Sequence, residues 1–209
     1  MSRLLVIFDL DGTLIDSETL CNQAFLDLIP SLNETVEQLV DQFRGKKLAE
    51  ILSEIERKIP SSLPENFEHI YRQRVADAFA TELKPVKGVP DMLKALELPF
   101  CIASSGPSEK IKHALAVTGL TPFFGERYFS SYTVVSWKPD PGLFLYAAKA
   151  MGFAPENCIV IEDSVIGLEA AASAGMHAFH YAPQAKTEKG INTFSSMSEL
   201  PSILHELTC

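Results

Sequence analysis

The feature that most constrains the fold is an apolar run near the amino terminus that ends in two carboxylates. Residues 4–8 read LLVIF, and Asp9, Leu10, Asp11 and Gly12 follow. Five consecutive apolar residues predict a strand buried on both faces, as in a parallel sheet. Because side chains alternate along an extended backbone, Asp9 and Asp11 point to the same side at the carboxyl end of this strand. Open α/β sheets bind their ligands at that end, and Gly12 allows a sharp turn there.

Two carboxylates this close repel each other unless a cation lies beside them. A hard divalent ion with oxygen ligands, Mg²⁺ above all, would relieve the repulsion. The alternative is an ordinary solvated turn, because Asp and Gly are common turn residues and short motifs also occur by chance. Asp9 and Asp11 alone leave both interpretations open.

The charge balance narrows the classes of partner. The chain has 209 residues and a formal net charge of -9, with 46% hydrophobic and 22% charged residues, which is typical of a soluble protein with a full core. The negative charge argues against nucleic acid or an anionic membrane as a partner. The sequence shows neither a signal-peptide pattern nor an apolar run of the ~18 residues that a membrane span needs. We therefore expect a cytoplasmic protein.

The four cysteines and five histidines show no metal-binding or disulfide spacing. We expect the cysteines to be small buried residues or, at the carboxyl terminus, a free thiol in a reducing compartment. The cysteines are Cys21, Cys101, Cys158 and Cys209.

The stretch from 16 to 81 has the period of amphipathic helices throughout. Apolar residues recur at helical spacing in four groups, which predicts four short helices without an intervening strand. Ser62 and Glu65 match a capping box with Pro64 in the first turn, so the fourth helix is expected to begin there. The four apolar stripes are Leu20, Ala24, Phe25, Leu28 and Ile29; Val36, Leu39, Val40 and Phe43; Leu48, Ile51, Leu52 and Ile55; and Phe67, Ile70, Tyr71, Val75, Ala78 and Phe79.

An all-helical segment of this length fits poorly as a crossover within one sheet. We therefore expect residues 16–82 to form an inserted helical cap on a core made of residues 1–15 and 83–209.

From Gly88 onward, predicted strands alternate with predicted helices, and a weakly patterned tail follows. This alternation favours an α/β fold with a Rossmann-like, doubly wound parallel sheet. The predicted strands lie near 100–103, 127–130, 158–161 and 177–181, and the predicted helices near 89–97, 108–117, 141–151 and 164–175.

Polar residues follow four of these strands or their loops. In a parallel sheet these residues converge at one edge. Together they include the residue types that a phosphoryl-transfer site needs. Asp9 would attack phosphorus as the nucleophile, and Asp11 would protonate the leaving alcohol and then activate water. The other residues of this set are Ser104, Lys138, Glu162 and Asp163.

The remaining residues of the set would stabilise charge. Lys138 would neutralise the phosphoryl oxygens, and Ser104 would donate to them together with the backbone N–H groups of Ser105 and Gly106. Mg²⁺ would be held by Asp9, the backbone carbonyl of Asp11 and Asp163, with Glu162 adjacent. Singly, each residue has a simpler interpretation, as a turn serine, a surface lysine or a helix cap. Their joint occurrence in this order favours the catalytic interpretation.

A basic loop lies between the second and third predicted helices. Arg44, Gly45, Lys46 and Lys47 follow one another in an otherwise acidic chain. The loop either holds an anionic substrate, with contacts from Arg44, Gly45 and Lys47, or is a solvated helix start.

These motifs resemble those of the haloacid dehalogenase superfamily. The resemblance covers Asp9, Asp11, Ser104, the Lys138-Pro139 pair and the Glu162-Asp163 pair, and the helical insert looks like a C1 cap. It implies a Rossmann-like core with Mg²⁺-dependent phosphatase or phosphomutase activity. Within the superfamily, the stretches 136–141, 147–151 and 156–159 are similar to those of bacterial 6-phosphogluconate phosphatases, and the basic loop also fits that group.

Two differences from other branches of the superfamily narrow the choice of activity. The dehalogenases of the superfamily lack the second acid, which is present here as Asp11, so carbon–halogen cleavage is not expected. The beta-phosphoglucomutase branch carries a cap histidine where this chain has Cys21, which favours hydrolysis over mutase chemistry. We expect a phosphatase for a small phosphorylated sugar or sugar acid such as 6-phosphogluconate, acting as a monomer or weak homo-oligomer. A sugar-phosphate mutase and, less favoured, a non-catalytic binding module remain alternatives.

Overall fold

Six parallel strands form one sheet in a computed structural model that describes residues 4–183 and 192–207. The α/β fold with a parallel sheet is thereby confirmed. The sixth strand lies in the tail, where no strand was predicted. The strands are β1 (Leu5–Phe8), β2 (Phe100–Ser104), β3 (Tyr128–Ser130), β4 (Cys158–Glu162), β5 (His177–Tyr181) and β6 (Thr193–Phe194), in the spatial order β3-β2-β1-β4-β5-β6.

Helices connect the strands; five lie between β1 and β2, and the first four of these lie within residues 16–82. Their number and approximate positions agree with the four predicted apolar stripes. The helices are α1 (Glu18–Leu28), α2 (Val36–Phe43), α3 (Leu48–Glu56), α4 (Phe67–Glu82), α5 (Val89–Ala95), α6 (Ser108–Val117), α7 (Thr121–Phe124), α8 (Ser131–Val134), α9 (Gly142–Met151), α10 (Val165–Ser173) and α11 (Leu200–Glu206), with 3-10 turns at Pro155–Asn157 and Met197–Glu199.

The central strand β1 is buried on both faces, as its continuous apolar run predicts. Val6 and Phe8 pack into one apolar cluster, and Leu5 and Ile7 pack into another on the opposite face. Burying an apolar side chain of this size contributes roughly 1.5–3 kcal/mol, so this strand anchors both layers of the core. The position of Asp9, the next residue, is fixed by that burial.

The predicted start of the fourth helix is wrong. α4 begins at Phe67, and Asn66 precedes it without a side-chain cap. The backbone N–H of Phe67 donates to the carbonyl of Pro64, so Pro64 belongs to a turn before the helix. A capping box does form before α2, where Thr35 and Gln38 exchange hydrogen bonds. Ile70 of the fourth stripe is 37% exposed rather than buried.

The tail carries more structure than the sequence pattern indicated. The strand β6 has two residues, too few to show alternation, and α11 has seven. Cys209 lies outside the described residues. The other three cysteines are free thiols; Cys101 and Cys158 are buried, as expected, whereas Cys21 is only half-buried. Over the ranges 4–183 and 192–207, no helix has both the length and the apolar character that a bilayer span requires.

Candidate active site

Neighbouring strand ends bring the two groups of acids together. β1 pairs with β4 so that Phe8 lies opposite Ile161, and the backbone N–H of Asp9 donates to the Ile161 carbonyl at 2.9 Å. Because both strands end at this level, Asp9 lies beside Glu162 and Asp163. The predicted convergence of these side chains is present in the structure.

The Lys138 side chain lies between two of these acids. Its Nζ donates to Asp9 Oδ1 at 2.5 Å and to Glu162 Oε2 at 2.6 Å, and 3% of the side chain is exposed. Burial opposes the charged ammonium, but the two carboxylates outweigh it and raise the pKa of Lys138 above its usual value. Lys138 is therefore a buried cation between two acids, and the alternative of a surface lysine is wrong.

Asp9, Glu162 and Asp163 form a buried acidic cluster whose carboxylate oxygens lie within 4.8 Å of one another. Burial, and next the charge of Glu162, raise the pKa of both Asp9 and Asp163, while Lys138 lowers that of Asp9. Three buried carboxylates face two cations, Lys138 and the partly exposed Arg44, so one negative charge remains, which suits a divalent cation with oxygen ligands. The side chain of Asp11 is not part of the cluster. From the sequence, Asp11 was predicted to bind the metal through its backbone carbonyl rather than its side chain.

Hydrogen bonds already occupy much of the cluster. Glu162 Oε2 accepts from Lys138, and Glu162 Oε1 accepts from the backbone N–H and the hydroxyl of Ser164. Asp163 Oδ1 accepts from the Thr13 hydroxyl at 3.1 Å. The role of Glu162 in this arrangement is therefore to fix Lys138 and the start of α10.

Two glycines allow the close approach of these carboxylates. A Cβ atom on Gly12, whose φ is +80°, would overlap the carboxylate of Asp163, and a Cβ on Gly167 would overlap that of Glu162. Gly12 was predicted to permit a sharp turn, and it lies with a positive φ in the turn after β1. Gly167 was not predicted, because a glycine inside a helix gives no sequence signal of what packs on it.

Asp11 lies at the cavity wall and is held by two donors. The Ser17 hydroxyl donates to Asp11 Oδ1 at 2.5 Å, and Lys110 Nζ donates to the same oxygen at 2.7 Å. Burial works against ionisation of Asp11, but the charge and hydrogen bond of Lys110 outweigh it and lower its pKa. Neither Ser17 nor Lys110 was singled out from the sequence.

The loop after β2 brings only some of its predicted residues to the cavity. Ser105 and Gly106 line it, whereas Ser104 is buried behind them and is absent from the lining. The Ser104 hydroxyl accepts from the backbone N–H of Gly106 at 3.1 Å. Of the three donors predicted to bind phosphoryl oxygens, the Ser104 hydroxyl therefore lies outside the cavity wall and the Gly106 N–H is engaged within the loop.

The basic loop reaches the strand ends. One nitrogen of the Arg44 guanidinium donates to Asp163 Oδ2 at 2.8 Å, and another lies 2.9 Å from Glu18 Oε2. A Cβ on Gly45 would lie 3.0 Å from Ser164, so the loop also packs directly on the start of α10. Arg44 and Gly45 thus contact the strand ends and the start of α10, although the Arg44 side chain is still 38% exposed.

The other two residues of the loop differ in their contacts. Lys46 pairs with Glu54 at 2.7 Å, and Lys47 Nζ lies 4.2 Å from the centre of the Trp137 ring. Within the described ranges, Lys47 makes no ion pair. It is thus a cation at the cavity wall that is available to an anionic ligand.

These residues surround one cavity of about 460 Å³ between α1–α4 and the strand ends. Its wall includes Glu18, whose pKa is raised to about 7, chiefly by burial, with Arg44 lowering it. Glu18 was missed because a single acid at a helix start is typical of exposed helix termini. The wall also includes Cys21, whose thiol pKa is raised to about 11 by burial.

Comparison with known proteins gives matches over nearly the whole chain. A family model described as haloacid dehalogenase-like hydrolase matches residues 4–175. The chain is 36% identical over 211 residues to the 6-phosphogluconate phosphatase of Escherichia coli (strain K12), covering 97% of this chain and 96% of the relative. It is 32% identical over 178 residues to the phosphorylated carbohydrates phosphatase of Thermotoga maritima, covering 82% and 81%. The crystal structure of a haloacid dehalogenase-like protein of unknown function from Agrobacterium tumefaciens str. C58 is similar with a TM-score of 0.84 at 27% identity, covering 100% of both chains.

Proposed function

Because this chain belongs to the haloacid dehalogenase-like hydrolases, we propose that it is a Mg²⁺-dependent phosphatase for a small phosphorylated sugar or sugar acid. One observation carries the proposal. A buried Asp9 carboxylate is held by Lys138 at a cavity whose wall also holds the second acid, Asp11. Asp11 supports phosphoryl transfer rather than carbon–halogen cleavage, because it can supply a proton to an oxygen leaving group.

The proposed reaction has two displacements at phosphorus. A carboxylate oxygen of Asp9 attacks phosphorus, and the P–O bond to the sugar breaks with its electron pair on the sugar oxygen. Asp11, which must enter this step protonated although Lys110 lowers its pKa, gives that oxygen a proton. Asp11, now a carboxylate, then takes a proton from a water molecule whose oxygen attacks phosphorus. The bond from phosphorus to Asp9 breaks, which releases inorganic phosphate and restores both acids.

Charge stabilisation is assigned to the groups around Asp9. Lys138 neutralises part of the charge on Asp9 and on the phosphoryl oxygens. Ser104 and the backbone N–H groups of Ser105 and Gly106 are proposed to hold those oxygens once the Gly106 N–H turns from Ser104 to the substrate.

The acidic cluster fits a resident Mg²⁺ ion. Asp9, Asp163 and the backbone carbonyl of Asp11 would hold it, with Glu162 adjacent, and the excess negative charge of the cluster supports this assignment. The ion would supply the positive charge that lets an anionic carboxylate approach an anionic phosphate. Arg44 occupies Asp163 Oδ2 in the structure and would exchange this contact for the substrate.

The substrate is proposed to be a phosphorylated sugar acid, with 6-phosphogluconate as the first candidate. A cavity of about 460 Å³ lies within the roughly 300–1,000 Å³ range of small-molecule sites. Arg44, Gly45 and Lys47 are assigned to the organic part of the substrate. The Lys47 ammonium, which makes no ion pair with any described residue, suits a carboxylate. The name of the Escherichia coli relative supports this choice.

Residues 16–82 are proposed to act as a cap on a core of residues 1–15 and 83–209. Two contacts support a closing motion between them: the Arg44 guanidinium reaches Asp163, and Arg72 donates to the Tyr132 hydroxyl at 2.7 Å. Closure of such a cap would exclude bulk water from the reaction.

Hydrolysis is favoured over mutase chemistry by the state of Cys21. A thiol with a pKa of about 11 is a poor proton carrier near neutral pH, so it does not replace the histidine of the mutase branch. Incubation with beta-glucose 1-phosphate tests the alternative. Formation of glucose 6-phosphate without net phosphate release would support a mutase and contradict the hydrolase proposal.

The main experiment measures phosphate release from a panel of sugar phosphates that includes 6-phosphogluconate, with Mg²⁺ or with a chelator. We expect release only with Mg²⁺, and none from the Asp9→Asn variant. Thermal unfolding gives a readout independent of turnover: Mg²⁺ should raise the midpoint of the wild type and raise that of Asp163→Asn less. No release from any member of the panel would contradict the proposal and favour a binding module.

The cytoplasmic location and the monomeric or weakly oligomeric state expected from the sequence stay predictions. Size-exclusion chromatography with light scattering would measure the second.

A further inference from the structure

Two hydrogen-bond donors converge on one oxygen of Asp11. Ser17 Oγ and Lys110 Nζ lie 2.5 Å and 2.7 Å from Oδ1. Among residues 4–183 and 192–207, no donor reaches the second oxygen, Oδ2. The side chain of Asp11 is 28% exposed and lines the cavity. The carboxyl group is thus fixed by one oxygen and free at the other.

Lys110 is held in place by its surroundings. Its stem passes next to Gly106, where an added Cβ would lie 3.3 Å from Lys110 Cδ, and its Nζ lies 5.7 Å from the centre of the Phe79 ring. Over the described part of the chain, Asp11 is the one carboxylate within ion-pair distance of Lys110. Lys110 therefore extends from α6 past the loop after β2, and its ammonium contacts a single oxygen of Asp11.

We propose that Lys110 is a positioning residue that anchors Asp11 Oδ1, so that Oδ2 gives the proton to the leaving alcohol and later takes it from water. This inference rests on the proposed phosphatase function. When the P–O bond breaks, the electron pair stays on the sugar oxygen, the proton moves from Oδ2 to that oxygen, and the charge left on the carboxylate lies beside the Lys110 ammonium. Ser17 acts on the same oxygen as the second anchor.

The test uses leaving groups of graded basicity. Para-substituted phenyl phosphates, from p-nitrophenyl to p-methoxyphenyl, have similar shapes, but only the more basic leaving groups need a proton from Asp11. The quantity to compare is kcat/KM, which reports the steps up to P–O cleavage. We expect Lys110→Met to lower kcat/KM about tenfold to a hundredfold for p-methoxyphenyl phosphate and less than about threefold for p-nitrophenyl phosphate. Lys110→Arg should keep more of the activity on the basic leaving group.

Controls separate this role from others. Lys112→Met removes an exposed lysine from the same helix and should leave kcat/KM unchanged for every phenyl phosphate of the series. Ser17→Ala should show the same dependence on the leaving group, which keeps the test valid if circular dichroism shows that Lys110→Met does not fold. An equal loss across the series in both variants would overturn the proposal, because a general structural or substrate-binding role lowers all members alike. Failure of the phosphatase proposal would appear separately, as a wild type without phosphate release.

Discussion

The ammonium of Lys138 lies 2.5 Å from a carboxylate oxygen of Asp9, although 129 residues separate the two in the sequence. Both side chains are buried, so each has lost most of its hydration, and each compensates the charge of the other. Removing Lys138 is costly, because two buried carboxylates are then left without their cation, whereas removing the charge of Asp9 still leaves Lys138 paired with Glu162.

Replacing Asp9 by Asn should abolish turnover while leaving the fold intact. The amide has the size of the carboxyl group but is not a nucleophile toward phosphorus, so we expect phosphate release to fall by at least about 10³-fold. The removal of one of three crowded acids also relieves repulsion with Glu162 and Asp163. The thermal midpoint should therefore fall little or not at all, and an unchanged rate would show that Asp9 is not the nucleophile.

Replacing Lys138 by Met should lower the free energy of unfolding by about 3–5 kcal/mol, because it leaves Asp9 and Glu162 buried without their cation. Urea unfolding measures this change. Lys149→Met, at an exposed position on α9, is the matched control and should change the free energy by no more than about 0.5 kcal/mol. A loss for Lys138→Met as small as that of the control would mean that the pair contributes nothing to stability.

The convergence of strand ends could be predicted from the sequence because it follows from two local patterns. Apolar runs show which strands are buried, and parallel strands of one sheet carry whatever follows them to a common edge. Asp9, Lys138 and Asp163 were identified in this way, although they lie far apart in the chain.

The positions of Lys110 and Glu18 could not be predicted in the same way. Both lie on helices, where a charged residue is usually on the solvent side, and only the packing of α1 and α6 around the cavity brings them to Asp11 and Arg44. The start of α4 was mispredicted because the Ser62 and Glu65 pattern reports only on local sequence. In the structure, Pro64 lies in a turn, and the helix begins after that turn, at Phe67.

Replacing Gly167 by Ala should destabilise the protein despite the better helix propensity of Ala. The added Cβ would overlap the carboxylate of Glu162, which must then move from Lys138 and Ser164. Overpacking of this kind costs about 1–3 kcal/mol, more than the roughly 1 kcal/mol that Ala contributes in a helix.

The free energy of unfolding measured in urea and the rate of phosphate release should both be lower for Gly167→Ala than for the wild type. Ser173→Ala, at an exposed position of the same helix, is the control for propensity alone and should be neutral or slightly stabilising. An increase in stability for Gly167→Ala would show that Glu162 can move at no cost.

Replacing Glu18 by Gln should change how stability depends on pH. Burial raises the pKa of Glu18 from 4.5 to about 7 in the folded protein, even though Arg44 acts in the opposite direction. The folded state therefore binds more protons than the unfolded state between these pH values. The stabilising effect of the protonated group is fully present below about pH 4.5 and is lost as the pH rises through about 7.

The amide of the Glu18→Gln variant does not titrate, so this variant should gain stability relative to the wild type as the pH rises from about 5 to about 8, by up to about 3 kcal/mol. Urea unfolding at several pH values, with a chelator present, measures the difference. Glu50→Gln, which replaces an exposed acid on α3, is the matched control. If the stability of Glu18→Gln instead fell relative to the wild type as the pH rose, the ion pair with Arg44 would outweigh burial, and Glu18 would be ionised at neutral pH.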